Sequence, residues 1–128
     1  MMNERNMNKK PNPLKEKSFQ FALKIIQLSK FLSEEKREYI MSKQLMRSGT
    51  SIGANIREGQ NAQSKADFIH KFSIAQKECD ETLYWLELLQ QSRFLQEKEF
   101  TAIHNDANEL LKMLRSSILT SKQNIHNS

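Results

Sequence analysis

His70, His104 and His126 are the histidines of this 128-residue chain. In a helical protein they first raise the question of a metal. A di-iron or di-manganese carboxylate bundle takes its ligands from Glu-x-x-His on two helices, because that spacing puts both side chains on one face. Three positions ahead of the histidines stand Asp67, Thr101 and Gln123. The pattern is missing, so no metal or other cofactor is expected. No arginine precedes a histidine within two helical turns either, as the signature of helical-bundle ribonucleases would require. Ser48, Thr50 and Ser51 beside Gly49 offer hydroxyls, but a serine nucleophile needs a paired base and none accompanies them. Gly49 and Gly53 lack the spacing and the Lys-Ser/Thr ending of a phosphate loop. Cys79 falls on an apolar helical stripe, where a thiol is a small buried hydrophobe and not a nucleophile. No enzyme is expected. What remains is charge: 20 Lys and Arg against 15 Asp and Glu, a net +5. Without aromatic residues interleaved to stack bases, those cations would contact phosphates and not read bases.

The chain is long enough for one domain with one core. A single cysteine allows no internal disulfide, which fits a reducing cytoplasm. The first residues lack the apolar segment of a secretory leader. No uncharged run approaches the roughly 20 residues that span a bilayer, so no membrane partner is expected. Residues 1–13 hold both prolines amid Asn and Lys and read as a disordered basic arm. Residues 14–120 read as the folded unit, and 121–128 as a frayed polar tail.

The folded unit carries four helical patterns. Helix one spans about Leu14 to Leu32, with Phe21, Ile25, Leu28 and Leu32 on one face. Helix two starts near Ser33 as N-cap and ends at Gly59. Its stripe is Met41, Leu45, Ser48, Ile52, Asn55 and Gly59, a 4-3-4-3-4 spacing. All three glycines of the chain lie in this helix, each costing roughly 1 kcal/mol against alanine. Such a helix forms only where a neighbour packs tightly on it, and Gly49 and Gly53 are the expected points of close approach. Helix three is capped by Ser64 ahead of Asp67 and buries Phe68, Phe72, Ala75, Cys79, Leu83 and Leu86. Helix four, about Gln96 to Thr120, buries Phe100, Ile103, Ala107, Leu110, Leu114 and Ser117. Short connections between amphipathic helices predict an all-α, antiparallel, up-down-up-down four-helix bundle.

The segment Gln44 to Leu89 also resembles the signature of the bacterial 23S rRNA-intervening-sequence proteins. The resemblance rests on Arg47-Ser48, Ser51-Ile52, Asn55-Ile56, Glu58-Gly59, Phe68, Ile74-Ala75, Glu81 and Trp85-Leu86. Members of that family are small four-helix bundles. They are similar to an accessory protein of diversity-generating retroelements, a basic pentameric barrel that binds nucleic acid and a reverse transcriptase. The resemblance therefore implies a homo-oligomeric ring, a pentamer, with RNA or DNA and a protein such as a reverse transcriptase as partners.

Three groups of residues point beyond the core. Ile74, Glu81, Trp85 and Leu88 form a second line on helix three, carrying the sole tryptophan. That line is either an oligomer interface or tucks against a neighbouring helix of the same chain. Folded as a bundle, one end of the molecule is basic: Arg57, Lys65, Lys71, Lys112, Arg115 and Lys122 are the candidate phosphate contacts. Arg47 and Glu58, eleven residues apart on helix two, are either exposed charges or pair across a helix–helix contact. In an antiparallel pair of helices two and three, Glu78 and Glu81 come level with Arg47 and would fix register. The reading that results is a non-enzymatic, homo-oligomeric bundle binding structured RNA through a basic surface. The alternative is a protein-interaction scaffold with no direct nucleic-acid role.

Overall fold

A computed structural model describes residues 11–127, with side chains through Asn124, so most of the expected N-terminal arm lies outside the described residues. Four helices account for nearly all of it: α1 Pro13–Glu34, α2 Ile40–Gln60, α3 Lys65–Gln91 and α4 Glu97–Asn127. No strand occurs among the described residues. The protein is all-α, and none of these helices is long and apolar enough to cross a membrane.

The register follows from which side chains meet. Asn12 pairs with Gln60 through both amide groups, and Gly49 faces Ile25 while Gly53 faces Ser18, so α1 and α2 run antiparallel. Gly59 lies against Phe72 and Arg47 against Glu78, which sets α2 against α3. The Cys79 thiol donates to the Ala107 carbonyl at 3.2 Å, and Lys17 and Lys24 reach Glu109 and Asp106. These contacts bring α4 alongside α3 and α1. The apolar stripes converge inside. Ile52, Cys79, Leu86, Leu110 and Leu114 are fully buried, with Phe72 at 2% exposure. Burial of this kind contributes roughly 1.5–3 kcal/mol per large side chain.

The structure moves two expected boundaries. Ser33 is not the cap of α2: α1 continues through it to Glu34, and its hydroxyl turns back to donate to the Lys30 carbonyl. The α2 start is capped by Glu38. Its carboxylate accepts the backbone N–H groups of Ile40, Met41 and Ser42 at 2.8–3.0 Å. A carboxylate there satisfies three orphan donors and opposes the positive end of the helix dipole. At the other end of the chain, α4 extends past Thr120 to Asn127.

The glycines also behave differently from one another. A Cβ at Gly49 would sit 2.8 Å from Ile25 Cγ2, and one at Gly59 would sit 2.6 Å from the Phe72 ring. Both need the missing side chain. A Cβ at Gly53 would lie 3.4 Å from Ser18 Oγ, an ordinary contact, so the expected close approach at Gly53 is a normal one. None of the three has a positive φ. Among the described residues the left-handed positions belong instead to Arg37 (φ 52°) and Arg93 (φ 70°) in the interhelix turns, where glycine is the usual occupant.

Candidate nucleic-acid interface and flanking sites

The basic residues at the α2–α3 end come from three helices. Arg57 closes α2, Lys65 and Lys71 open α3, and Lys112, Arg115 and Lys122 line the second half of α4. Lys65 shares a surface hollow with Ser121, next to Lys122. Lys65, Lys112, Arg115 and Lys122 are exposed and make no ion pair among the described residues. Lys71 is different: its ammonium lies 3.3 Å from Glu58, so the carboxylate offsets its charge. The Arg57 guanidinium sits 6.0 Å over the Phe19 ring, at the outer limit of a cation–π contact. Lys17 and Lys24, at the same end, are paired with carboxylates on α4 at 2.9 and 2.8 Å. Of the six candidates, Lys65, Lys112, Arg115 and Lys122 are the ones with neither a carboxylate nor an aromatic ring against them among the described residues.

Arg47 lies on the α2–α3 face. Its Nη1 donates to Glu78 Oε2 at 3.1 Å, and its Nη2 donates to Glu81 Oε1. The same Glu81 oxygen accepts from Trp85 Nε1 at 3.2 Å. Hydrogen bonds from Arg47 and then Trp85 hold the Glu81 carboxyl below its ordinary range, and Glu81 in turn raises Arg47. Beneath the ion pairs, the buried hydroxyls of Ser48 and Thr82 lie 2.9 Å apart, so small polar residues let the helices approach. Glu58 takes no part in this cluster and faces Lys71 instead.

Ile74, Glu81, Trp85 and Leu88 are each half-buried within a single chain. Trp85 packs on the edge of the core, with its neighbour Tyr84 in edge-to-face contact at 5.1 Å and exposed. Other exposed apolar side chains stand elsewhere, at Phe19, Leu23, Phe31, Tyr39, Ile40 and Leu119. Sequence reasoning missed the α1 members of this set. The signal for Phe19 and Leu23 is a second stripe on that helix, Phe19, Leu23 and Ile26, opposite Phe21, Ile25 and Leu28.

The residues weighed for chemistry sit apart from one another. His70 is exposed. His104 Nε2 lies 3.1 Å from Glu87, its Nδ1 lies 3.1 Å from Asn108, and its ring tilts on Phe100; the side chain of His126 is outside the described residues. No cluster of three metal-ligating side chains occurs among the described residues. Burial pushes the Cys79 thiol up to about 12, so the thiolate nucleophile is absent at neutral pH. Ser51 and Thr50 donate to carbonyls one turn back on their own helix, as helix hydroxyls without a catalytic partner do.

Comparison with known proteins agrees with this architecture. A crystal structure of a protein of unknown function from the S23 ribosomal protein family of Bacteroides thetaiotaomicron VPI-5482 superimposes with a TM-score of 0.81. It is 53% identical in sequence, and the match covers 82% of this chain and 97% of that one. No curated protein matches. The profile of the 23S rRNA-intervening sequence proteins matches residues 12–116, which spans all of α1, α2 and α3 and most of α4, and the chain belongs to that family.

Proposed function

We propose that this protein is a non-enzymatic, homo-oligomeric cytoplasmic bundle that binds nucleic acid, structured RNA in preference, through its basic end. The observation that carries the reading is the group of exposed cations at Lys65, Lys112, Arg115 and Lys122, unpaired among the described residues. Flexible lysines and an arginine on helix faces, with no aromatic platform among them, suit phosphate contact and tolerate any base. Assembly through the α3 line of Ile74, Trp85 and Leu88 would repeat the patch around an axis and multiply its field. The pentameric number comes from the family resemblance alone.

Counterion release makes the test direct. Affinity for a structured RNA should fall steeply with salt. Reversing Lys112 and Arg115 to Glu should weaken binding about equally for unrelated sequences and flatten the salt slope by nearly one unit per lost contact. Both side chains are exposed, so the melting temperature should hold. Equal binding by the reversed protein, or none by the unmodified one at low salt, removes the nucleic-acid reading. A protein-interaction scaffold then takes its place.

A further inference from the structure

A serine or threonine inside a helix ordinarily turns its hydroxyl back to a carbonyl of the preceding turn. Ser18, Ser42, Ser48 and Thr82 are buried and do so, donating to the carbonyls of Lys15, Glu38, Leu45 and Glu78. Ser29 on α1 does not. It is 3% exposed, and its hydroxyl has no hydrogen-bond partner among the described residues. A buried hydroxyl without a partner destabilises the fold that holds it. Ser29 lines a hollow of about 380 Å³ between the end of α1 and the start of α2. The other polar groups of that hollow differ in what they have left to offer. The Ser33 and Ser42 hydroxyls already donate to the carbonyls of Lys30 and Glu38. Arg47 is held by Glu78 and Glu81. Lys43 is exposed and makes no ion pair among the described residues. No carboxylate is among the described lining residues, and Glu38, one turn before Ser42, is occupied by the backbone N–H groups of Ile40, Met41 and Ser42. Two free donors remain, the Ser29 hydroxyl within and the Lys43 ammonium outside, with Tyr39 and Met46 as apolar walls.

We propose that this hollow is a binding site for a small aromatic carboxylate, whose oxygens accept from Ser29 and Lys43 and whose ring lies against Tyr39 and Met46. Free donors call for a head group that only accepts, and an ionised carboxylate is such a group. Its single charge matches the single free ammonium, and the bond between them is charge-assisted. The Met46 thioether and the Tyr39 ring favour an aromatic body, because sulfur and ring edges both make favourable contacts with a π system. The volume stands at the lower end of the roughly 300–1,000 Å³ of ligand pockets, the size for a single-ring acid. A second copy of this chain laid across the exposed Tyr39 and Ile40 meets the mouth of the hollow, whereas the Ser29 hydroxyl is reached by a group that enters between the helices. The site lies at the α1–α2 turn, at the opposite end of α2 from Arg57, so it stands independently of the nucleic-acid reading.

The experiment uses the full chain and 4-fluorobenzoate, followed by fluorine NMR, with 4-fluorobenzylamine as a cationic probe of similar size. The benzoate should saturate with a dissociation constant on the order of 1 mM, as suits so small a ligand, and the amine should bind at least about tenfold more weakly. Lys43→Gln should weaken the benzoate by about tenfold or more. Lys30→Gln, at an exposed lysine outside the hollow, should leave it unchanged. Ser29→Ala should weaken it by about fivefold or more, while the melting temperature holds or rises. The substitution removes an unpartnered buried hydroxyl, and alanine is the better helix former. A merely structural serine would give the reverse, a lower melting temperature and full affinity. No saturation by the benzoate, equal binding of both probes, or full affinity in Lys43→Gln overturns the proposal. Full affinity in Ser29→Ala does so too, since a buried water would then account for the hydroxyl. So does a homo-oligomer that excludes the benzoate and splits on Tyr39→Ser in light scattering, because a second copy would then cover the hollow. Lys43 is exposed, so its variant decides the matter even if Ser29→Ala alters folding.

Discussion

At Gly49 and Gly53 two residues of one type, one turn apart on one helix, face opposite outcomes. Gly49→Ala drives a methyl to 2.8 Å from Ile25, inside a core with no room to give. The strain of about 1–3 kcal/mol exceeds the roughly 1 kcal/mol that alanine gains in helix propensity. Gly53→Ala meets only ordinary contacts and keeps a helical φ, so the propensity gain should survive. Thermal melting should therefore show a loss for the first and no loss, or a rise, for the second. The Arg47–Glu81 pair makes a residue-scale prediction about pH. Glu81 is held below the ordinary value of 4.5 when folded, so its contribution is fully present above that value and is lost as acid carries the pH through the lower, folded one. Arg47 is 47% exposed, so solvent screens the pair and the term is about 0.2–1 kcal/mol. In Glu81→Gln, the loss of stability relative to the unmodified protein should shrink as the pH drops below about 4.

Among the elements, α2 depends most on its surroundings. It carries three glycines, begins without an N-cap side chain at Tyr39, and is started by the Glu38 carboxylate instead. Glu38→Ala leaves three backbone donors without that acceptor in a nearly buried turn, where Glu38 is 8% exposed. Hydrogen bonds to a charged group are worth about 1.5–3 kcal/mol, and a loss of that size is expected in denaturant melts. Hydrogen exchange should speed up first at Ile40, Met41 and Ser42. Ser33→Ala, at the position the sequence pattern favours as a cap, should change little.

At the scale of the whole molecule, exposed charge borders exposed apolar surface on α1 and α2. Lys65, Lys112, Arg115 and Lys122 lie on α3 and α4 without an ion pair among the described residues, while Lys15 and Arg57, likewise unpaired, flank the exposed Phe19 and Leu23 on the α1–α2 side. The α3 line carrying Trp85 belongs to neither group. If that line joins copies, Trp85→Ala should shift the mass measured by light scattering toward monomer at low concentration, with helical content retained. A monomeric unmodified protein would end the oligomer reading. Burial of Trp85 against its own core, and its bond to Glu81, would then be the whole of its role.

By itself the sequence determined the class of fold and most of the core. Four apolar periodicities of 3.6 residues allow few arrangements, and Ile52, Phe72, Cys79, Leu86, Leu110 and Leu114 are buried where their stripes place them. Local caps were legible where the capping residue adjoins its helix, as at Ser64, whose hydroxyl accepts from Asp67. The Glu38 cap was not, because a glutamate reaching forward across a turn looks like any surface acid until the turn is formed. Only the tertiary structure decided which glycines need to be glycine, since that depends on whether Ile25, Ser18 or Phe72 lies opposite. Likewise only the fold showed that Lys17, Lys24 and Lys71 spend their charge on Glu109, Asp106 and Glu58. Charge can be counted along a chain, but its pairing across helices is set by distances that exist only once the helices pack.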